Sequence, residues 1–357
     1  MHVDWENVKR VLVVRLRSIG DTVLVTPSLI SLRRFLPNVR IDILLEDWVA
    51  PILEGFDAID NIISVGSSST ERLKTGRLIR RNKYDVVFNL HGGTTATFFT
   101  RASGARHRVG YAYYQYNFLH NHLLTSSADY WHRENTHSAE QQLALLGFVG
   151  VPVHDLPKTR LVATEQALKS LEAKFKAKTQ SGSVGTDCGS GWLNTVKYAL
   201  LHPASSFFTK QWATENFART AEFLAEKGFQ TVAVASKNES RVLDDLKRES
   251  VVPVITFDDL TLPEITALAS KASIFVGNDS GIAHIAAAVQ TPTVVIFGSS
   301  NRNHWCPWTD APNEIVFEEF GCQPCPGYEC AEFGEPRCIL SVPTNAVIKA
   351  IKNVMES

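Results

Sequence analysis

The feature that most constrains this chain is an alternation, sustained along most of its length, of short β-branched runs with segments of helix length. In the first half Val11 to Leu16, Arg40 to Leu45 and Tyr84 to Leu90 read as buried strands. The second half repeats the rhythm with Tyr198 to His202, Gln230 to Ala235, Val251 to Thr256, Ser273 to Gly277 and Thr293 to Phe297, and Trp212 to Lys227 is one of the intervening helices. Strands that alternate with helices make βαβ units and parallel sheets. At 357 residues the chain is too long for one ordinary core. The expected fold class is therefore α/β, with two doubly wound, Rossmann-like domains.

Composition places the boundaries. Ala163 to Lys178 is a helix rich in Lys, Glu and Ala, and the segment after it is dense in Gly, Ser and Thr. The expected division is a first domain over 1–178, a linker or mobile loop over 179–196, a second domain over 197–343 and a closing helix over 344–357. In that last helix Val347, Ile348, Ile351 and Met355 fall on one face.

Hydrophobic residues make up 44% of the chain and charged residues 20%, a globular balance, and the formal net charge of -1 argues against whole-molecule attraction to nucleic acid. The first ten residues are too charged for a secretory peptide, and no run approaches the about 20 apolar residues of a membrane span. A cytoplasmic protein is expected. Six cysteines in a chain this long are no disulfide scaffold, yet four of them, Cys322, Cys325, Cys330 and Cys338, cluster near the C-terminus, as soft ligands for zinc or iron would.

In open α/β units ligands bind beyond the carboxyl ends of the strands, so the chemistry should follow the strands. After the first strand comes Arg17-Ser18-Ile19-Gly20-Asp21, where Gly20 suits a tight turn and Asp21 is either a helix-capping acid or a general base. After Tyr198 to Leu201 comes a loop with Ser205, Ser206 and Lys210 ahead of Trp212, hydroxyls and a cation suited to a diphosphate or to a plain helix cap. The sharpest segment is Gly277-Asn278-Asp279-Ser280-Gly281, then a helix with His284 in its first turn. It offers NH donors, a hydroxyl and the positive end of a helix dipole to an anion, or is only a strand-to-helix connection. No Walker A sequence, complete G-x-G-x-x-G or nucleophile elbow appears at a strand end.

Taken together, these places resemble the ADP-heptose:lipopolysaccharide heptosyltransferases of glycosyltransferase family 9, inverting enzymes of the GT-B fold, over nearly the whole chain. The family's strand followed by Ser-Met/Ile-Gly-Asp matches Ser18-Ile19-Gly20-Asp21, with Arg15 where a basic residue is frequent. Its Pro-Gly-Ala-Ser-x-x-x-Lys-x-Trp segment resembles Pro203 to Trp212, with Ala204 in place of the glycine. Its Asn-Asp-Ser/Thr-Gly-x-x-His-x-Ala-Ala-Ala is complete in Asn278 to Ala288.

The resemblance implies two domains facing across a cleft, Asp21 as general base, and Arg15, Ser18 and Gly20 on the acceptor side. It places Ser205, Ser206, Lys210, Glu239, Asp279, Ser280, Gly281 and His284 around an ADP-sugar donor, with Glu239 on the ribose. It further implies ADP-heptose as donor, the inner core of lipopolysaccharide as acceptor, and peripheral contact with the cytoplasmic face of the inner membrane. No cofactor is required, and no Asp-x-Asp stands at a strand end to hold a catalytic divalent ion. Basic residues Arg101, Arg106, His107 and Arg108, with Tyr111, Tyr113, Tyr114 and Tyr116, are candidates to hold phosphorylated sugars or are an ordinary solvated face. Rival readings are a heptosyltransferase for a protein or another glycan, a non-catalytic ADP-sugar-binding module, and a nicotinamide oxidoreductase that would need the missing glycine fingerprint.

Overall fold

The β-branched runs assemble into two parallel sheets of six strands each. The computed structural model describes residues 2–180, 191–325 and 327–356. It divides into two compact units, Met1–Leu161 and Val162–Ser357. The first contains β1 (Arg10–Val14), β2 (Arg40–Glu46), β3 (Asn61–Val65), β4 (Val86–Asn89), β5 (His107–Tyr111) and β6 (His122–Leu124), in the spatial order β3-β2-β1-β4-β5-β6. The second contains β7 (Tyr198–His202), β8 (Gln230–Val234), β9 (Val254–Phe257), β10 (Ile274–Asn278), β11 (Thr293–Phe297) and β12 (Asn313–Phe317), in the order β12-β11-β10-β7-β8-β9. Both sheets are doubly wound with the same relative strand order, and the topology reverses between β1 and β4 and between β7 and β10.

The central strands are apolar on both faces because helices cover both: β4, β7, β10 and β11 are buried at every position. In the first unit Leu12, Val14, Val87 and Phe99 belong to one cluster. In the second, Leu201, Val276 and Ile296 pack with Trp212, Phe217 and Ile351. Trp212 is fully buried and its indole NH donates to the Val342 carbonyl at 2.9 Å, which satisfies the single polar atom of a large apolar side chain.

Four strands were not anticipated: β3, β5, β6 and β12. They are edge or near-edge strands carrying polar residues such as Asn61, Arg108 and Glu314, so the apolar run that marks a central strand is weak in them. The helix Glu165–Gln180 belongs to the second unit, so the units divide earlier than the expected limit at residue 178. The physical reason is its apolar stripe: Phe175 stacks on Trp192 at 4.4 Å and meets Phe257 edge-on at 4.8 Å. Within the expected linker, 181–190 lie outside the described residues, whereas Trp192–Thr195 is a helical turn with Trp192 and Leu193 buried. The closing helix is Thr344–Glu356, and it buries Val347, Ala350, Ile351 and Val354; Ile348 is half-buried and Met355 is 43% exposed.

Candidate functional site

Each unit gathers polar side chains where its sheet changes direction. In the first, β1 ends at Val14 and the chain reaches Asp21 within one turn of the helix Ile19–Leu24. Ser18 is the N-cap, and Asp21, three residues on, closes a capping box: the Asp21 carboxylate accepts from the Ser18 hydroxyl at 3.2 Å and from its backbone NH at 3.4 Å. The other Asp21 oxygen pairs with the Arg15 guanidinium, which also donates to the carbonyl of Leu90 just beyond β4. Asp21 is thus the capping acid that the sequence allowed, and its carboxylate is also 22% exposed by side chain beside a cation. Gly20 is buried inside the helix and has no left-handed backbone, so the expected tight turn is not there.

The turn after β4 contributes a residue that sequence reasoning missed. Asn89, fully buried, accepts the NH groups of His91 at 3.2 Å and Gly92 at 2.9 Å, which fixes the path of the loop. Gly92 has a φ of 74°, and a Cβ there would meet the Tyr114 ring at 2.9 Å. His91 is half-buried, and its buried Nδ1 has no hydrogen-bond partner among the described residues. Burial, and then the positive charge of Arg15, push its pKa down to about 4, so the ring is neutral at neutral pH. Asp21 acts in the opposite direction on the same ring, which places His91 in the electrostatic field of the Arg15–Asp21 pair. The available signal was positional: His91 follows the strand adjacent to β1 at the switch point.

In the second unit, Asn278 at the end of β10 holds the loop after β7. Its amide donates to the carbonyls of Pro203 at 2.9 Å and Ala204 at 3.4 Å, and its Oδ1 accepts the Trp212 NH at 3.0 Å. Lys210 on this loop reaches Asp279 with its Nζ 2.9 Å from the carboxylate, and the Ser300 hydroxyl donates to the same Asp279 oxygen. The ammonium also lies 5.6 Å from the centroid of Phe207. Lys210 and Asp279, expected as separate contacts to phosphate and sugar, are partners here. Ser206 is exposed and Ser205 half-buried on the same loop.

Ser280 is the N-cap of the helix Gly281–Ala288 and accepts the Ala283 NH at 3.5 Å; its hydroxyl hydrogen remains for a further acceptor. His284 is buried in that helix. Gly277 is needed for close approach: a Cβ there would lie 3.0 Å from the His202 carbonyl oxygen and 2.7 Å from the Phe275 ring. Glu239, after β8, accepts from the Ser236 NH at 3.2 Å and its hydroxyl at 2.5 Å, so one oxygen of its carboxylate serves as a cap. It also lies within electrostatic reach of His202, whose pKa burial pushes down while Val234, bonded to its Nδ1 at 2.8 Å, and Glu239 oppose the shift.

Cys322, Cys325, Cys330 and Cys338 come together around a cavity of about 10 Å³, all as free thiols. Burial, followed by the three neighbouring cysteines, raises the Cys338 pKa. Among the described residues no group of three or more His, Cys, Asp or Glu side chains converges so as to hold a metal ion. The basic and aromatic residues of the first unit separate into two sets. Arg108 is spent on the Leu119 and Ala105 carbonyls, His107 bonds His122 at 2.9 Å and Tyr111 donates to the Gln141 carbonyl at 2.5 Å, whereas Arg101 and Tyr116 line an open groove.

Among known proteins, the model of glycosyltransferase family 9 (heptosyltransferase) matches residues 72–334. Lipopolysaccharide heptosyltransferase 3 of Escherichia coli strain K12 is 26% identical over 349 residues, 94% of this chain and 95% of that protein. A glycosyl transferase family 9 structure from Veillonella parvula superposes with a TM-score of 0.81 at 20% identity, covering 100% of this chain and 99% of the other. The E. coli ADP-heptose LPS heptosyltransferase II structure does so at 0.78 with 18% identity, covering 97% and 98%. Both likenesses support the GT-B fold built on two parallel six-stranded sheets. The family match spans well over half of a chain whose two sheets place Asp21 and Asp279 at their switch points, and the protein is accordingly a glycosyltransferase belonging to glycosyltransferase family 9, the heptosyltransferases.

Proposed function

We propose that this enzyme transfers heptose from ADP-heptose to the inner core of lipopolysaccharide with inversion at the anomeric carbon. The observation that carries the reading is the Asp21 carboxylate, held by Arg15 and Ser18 beside a neutral imidazole at the switch point of the first sheet. The almost end-to-end match to lipopolysaccharide heptosyltransferase 3 of E. coli supports the choice of acceptor. A structure of an E. coli heptosyltransferase with ADP, sharing this fold, supports the choice of nucleotide.

In the reaction the acceptor oxygen forms a bond to the anomeric carbon, the bond from that carbon to the diphosphate breaks, and ADP leaves with the electron pair. Asp21 takes the hydroxyl proton as the nucleophile forms. Arg15 and Ser18 fix its orientation, and Gly20 lies with them on the acceptor side. Lys210 and the hydroxyls of Ser205 and Ser206 offset the charge that develops on the leaving diphosphate, together with Ser280 and the NH of Gly281 at the helix start. Asp279 and His284 orient the donor sugar, and Glu239 holds the ribose. A lysine in this role removes the need for a divalent ion or other cofactor. The enzyme works in the cytoplasm, where ADP-sugars are made.

The test is turnover of Asp21→Asn, measured as ADP release from ADP-heptose with and without acceptor, alongside donor binding. Loss of turnover with donor affinity retained supports the base; near-normal turnover removes it. An acceptor panel that includes a protein and an unrelated glycan separates the proposed acceptor from the alternatives.

A further inference from the structure

In the second unit the four clustered cysteines sit in the stretches 320–325 and 327–338, which pack onto the loop that carries Lys210. Thr209, the residue before that lysine, stands in the turn Phe208–Lys210 and is 1% exposed. A threonine in a polar loop ordinarily turns its hydroxyl to water. Here the hydroxyl donates to the carbonyl of Gly327, and its oxygen lies 3.0 Å from the hydroxyl of Ser299, which is fully buried. A hydroxyl has a single proton to give, so it is the Ser299 hydroxyl that donates to Thr209.

Backbone bonds repeat the link. The Ser299 NH donates to the Thr209 carbonyl at 3.3 Å, and the Cys325 NH donates to the Ser299 carbonyl at 3.0 Å. Gly298 allows this approach, because a Cβ there would collide with the Thr209 carbonyl oxygen. The cavity among Thr209, Ser299 and the four cysteines is only about 10 Å³, so the seam is packed with no room for the loop to shift. Two residues before Thr209, Phe207 meets Tyr328 edge-on at 4.8 Å, and its ring centroid lies 5.6 Å from the Lys210 ammonium. Ser300, next to Ser299, donates to the same Asp279 oxygen that Lys210 pairs with.

We infer that Thr209 is the positioning residue for Lys210: through Ser299 and Gly327 it locks the cysteine-bearing stretches to the loop and holds the ammonium where the donor diphosphate arrives. The inference rests on the reading that Lys210 meets that diphosphate. Lysine carries its charge on a flexible four-carbon stem, and a cation ordered in advance binds an anion better than one that must be ordered on binding. Thr209 fixes the backbone from which the stem starts, while Phe207 and Asp279 fix where it ends. Thr209 itself is buried and acts on the nucleotide only through its neighbour.

The experiment titrates the full chain with ADP by calorimetry and records a thermal transition for each variant. Thr209→Val and Ser299→Ala should each weaken ADP binding by about three- to tenfold, the scale of one lost hydrogen bond, while Thr209→Ser, which keeps the hydroxyl, should stay within about twofold of the parent. In a Lys210→Ala background neither Thr209→Val nor Ser299→Ala should cost anything further, because the side chain they position is gone. Equal losses with and without Lys210 mark a general loosening of the domain and overturn the inference, as does parent-like ADP binding by Thr209→Val. If Thr209→Val does not fold, Ser299→Ala, which leaves the bond to Gly327 in place, decides by the same comparison. A parent that does not bind ADP, or a Lys210→Ala variant that binds it normally, is a different failure: it removes the reading of the site, and the inference with it.

Discussion

Arg15 pairs with Asp21 across the turn that leaves β1, and the same guanidinium holds the Leu90 carbonyl beyond β4. One cation thus ties together the two strand ends where the first sheet reverses its order. If Asp21 is the base, Arg15 is the residue that aims it. Asp21→Asn should lower kcat by about 10²-fold or more with little change in donor affinity. Arg15→Met should lower kcat less, and Arg15→Lys should recover only part because it cannot make both contacts at once. Steady-state kinetics of the three variants check this.

Lys210 and Asp279 provide a second coupled pair. Asp279 is 6% exposed, so Lys210→Ala leaves a buried carboxylate with the Ser300 hydroxyl as its one side-chain partner among the described residues. The single variants Lys210→Ala and Asp279→Ala should each weaken ADP binding by about tenfold to a hundredfold, while the double variant loses much less than the sum. Calorimetric titration with ADP gives the coupling; additive losses would show that the two side chains act apart.

Acid should loosen the first unit through its histidines. His91 and His122 both have pKa values pushed down to about 4, in each case first by burial, against an ordinary 6.5. The unfolded chain therefore binds more protons between these values, so the stability from the neutral rings is fully present above 6.5 and is lost as pH falls toward about 4. Urea unfolding followed across that window should show His91→Gln with a shallower decline than the parent.

Gly277 should tolerate no side chain. A methyl group there meets the backbone of β7, which cannot swing away as a flexible side chain would. Gly277→Ala should cost about 1–3 kcal/mol and lower Tm by several degrees. An unchanged Tm would mean that β7 and β10 can spread apart.

The sequence by itself determined the central strands and the residues that follow them, because both are local. A run of β-branched residues marks a strand wherever it lies, and in a doubly wound sheet the chemistry follows the strand ends. That logic led to Asp21, Lys210 and Asp279 and to the family. Tertiary structure decided how these groups are used. Whether Asp21 caps a helix or faces a cation depends on Arg15 and Leu90, far apart in sequence from one another, and the single structure lets the carboxylate do both. Lys210 and Asp279 became partners because Asn278 pins their two loops together. His91 carries no motif of its own; only the placement of β4 beside β1 brings it to the Arg15–Asp21 pair.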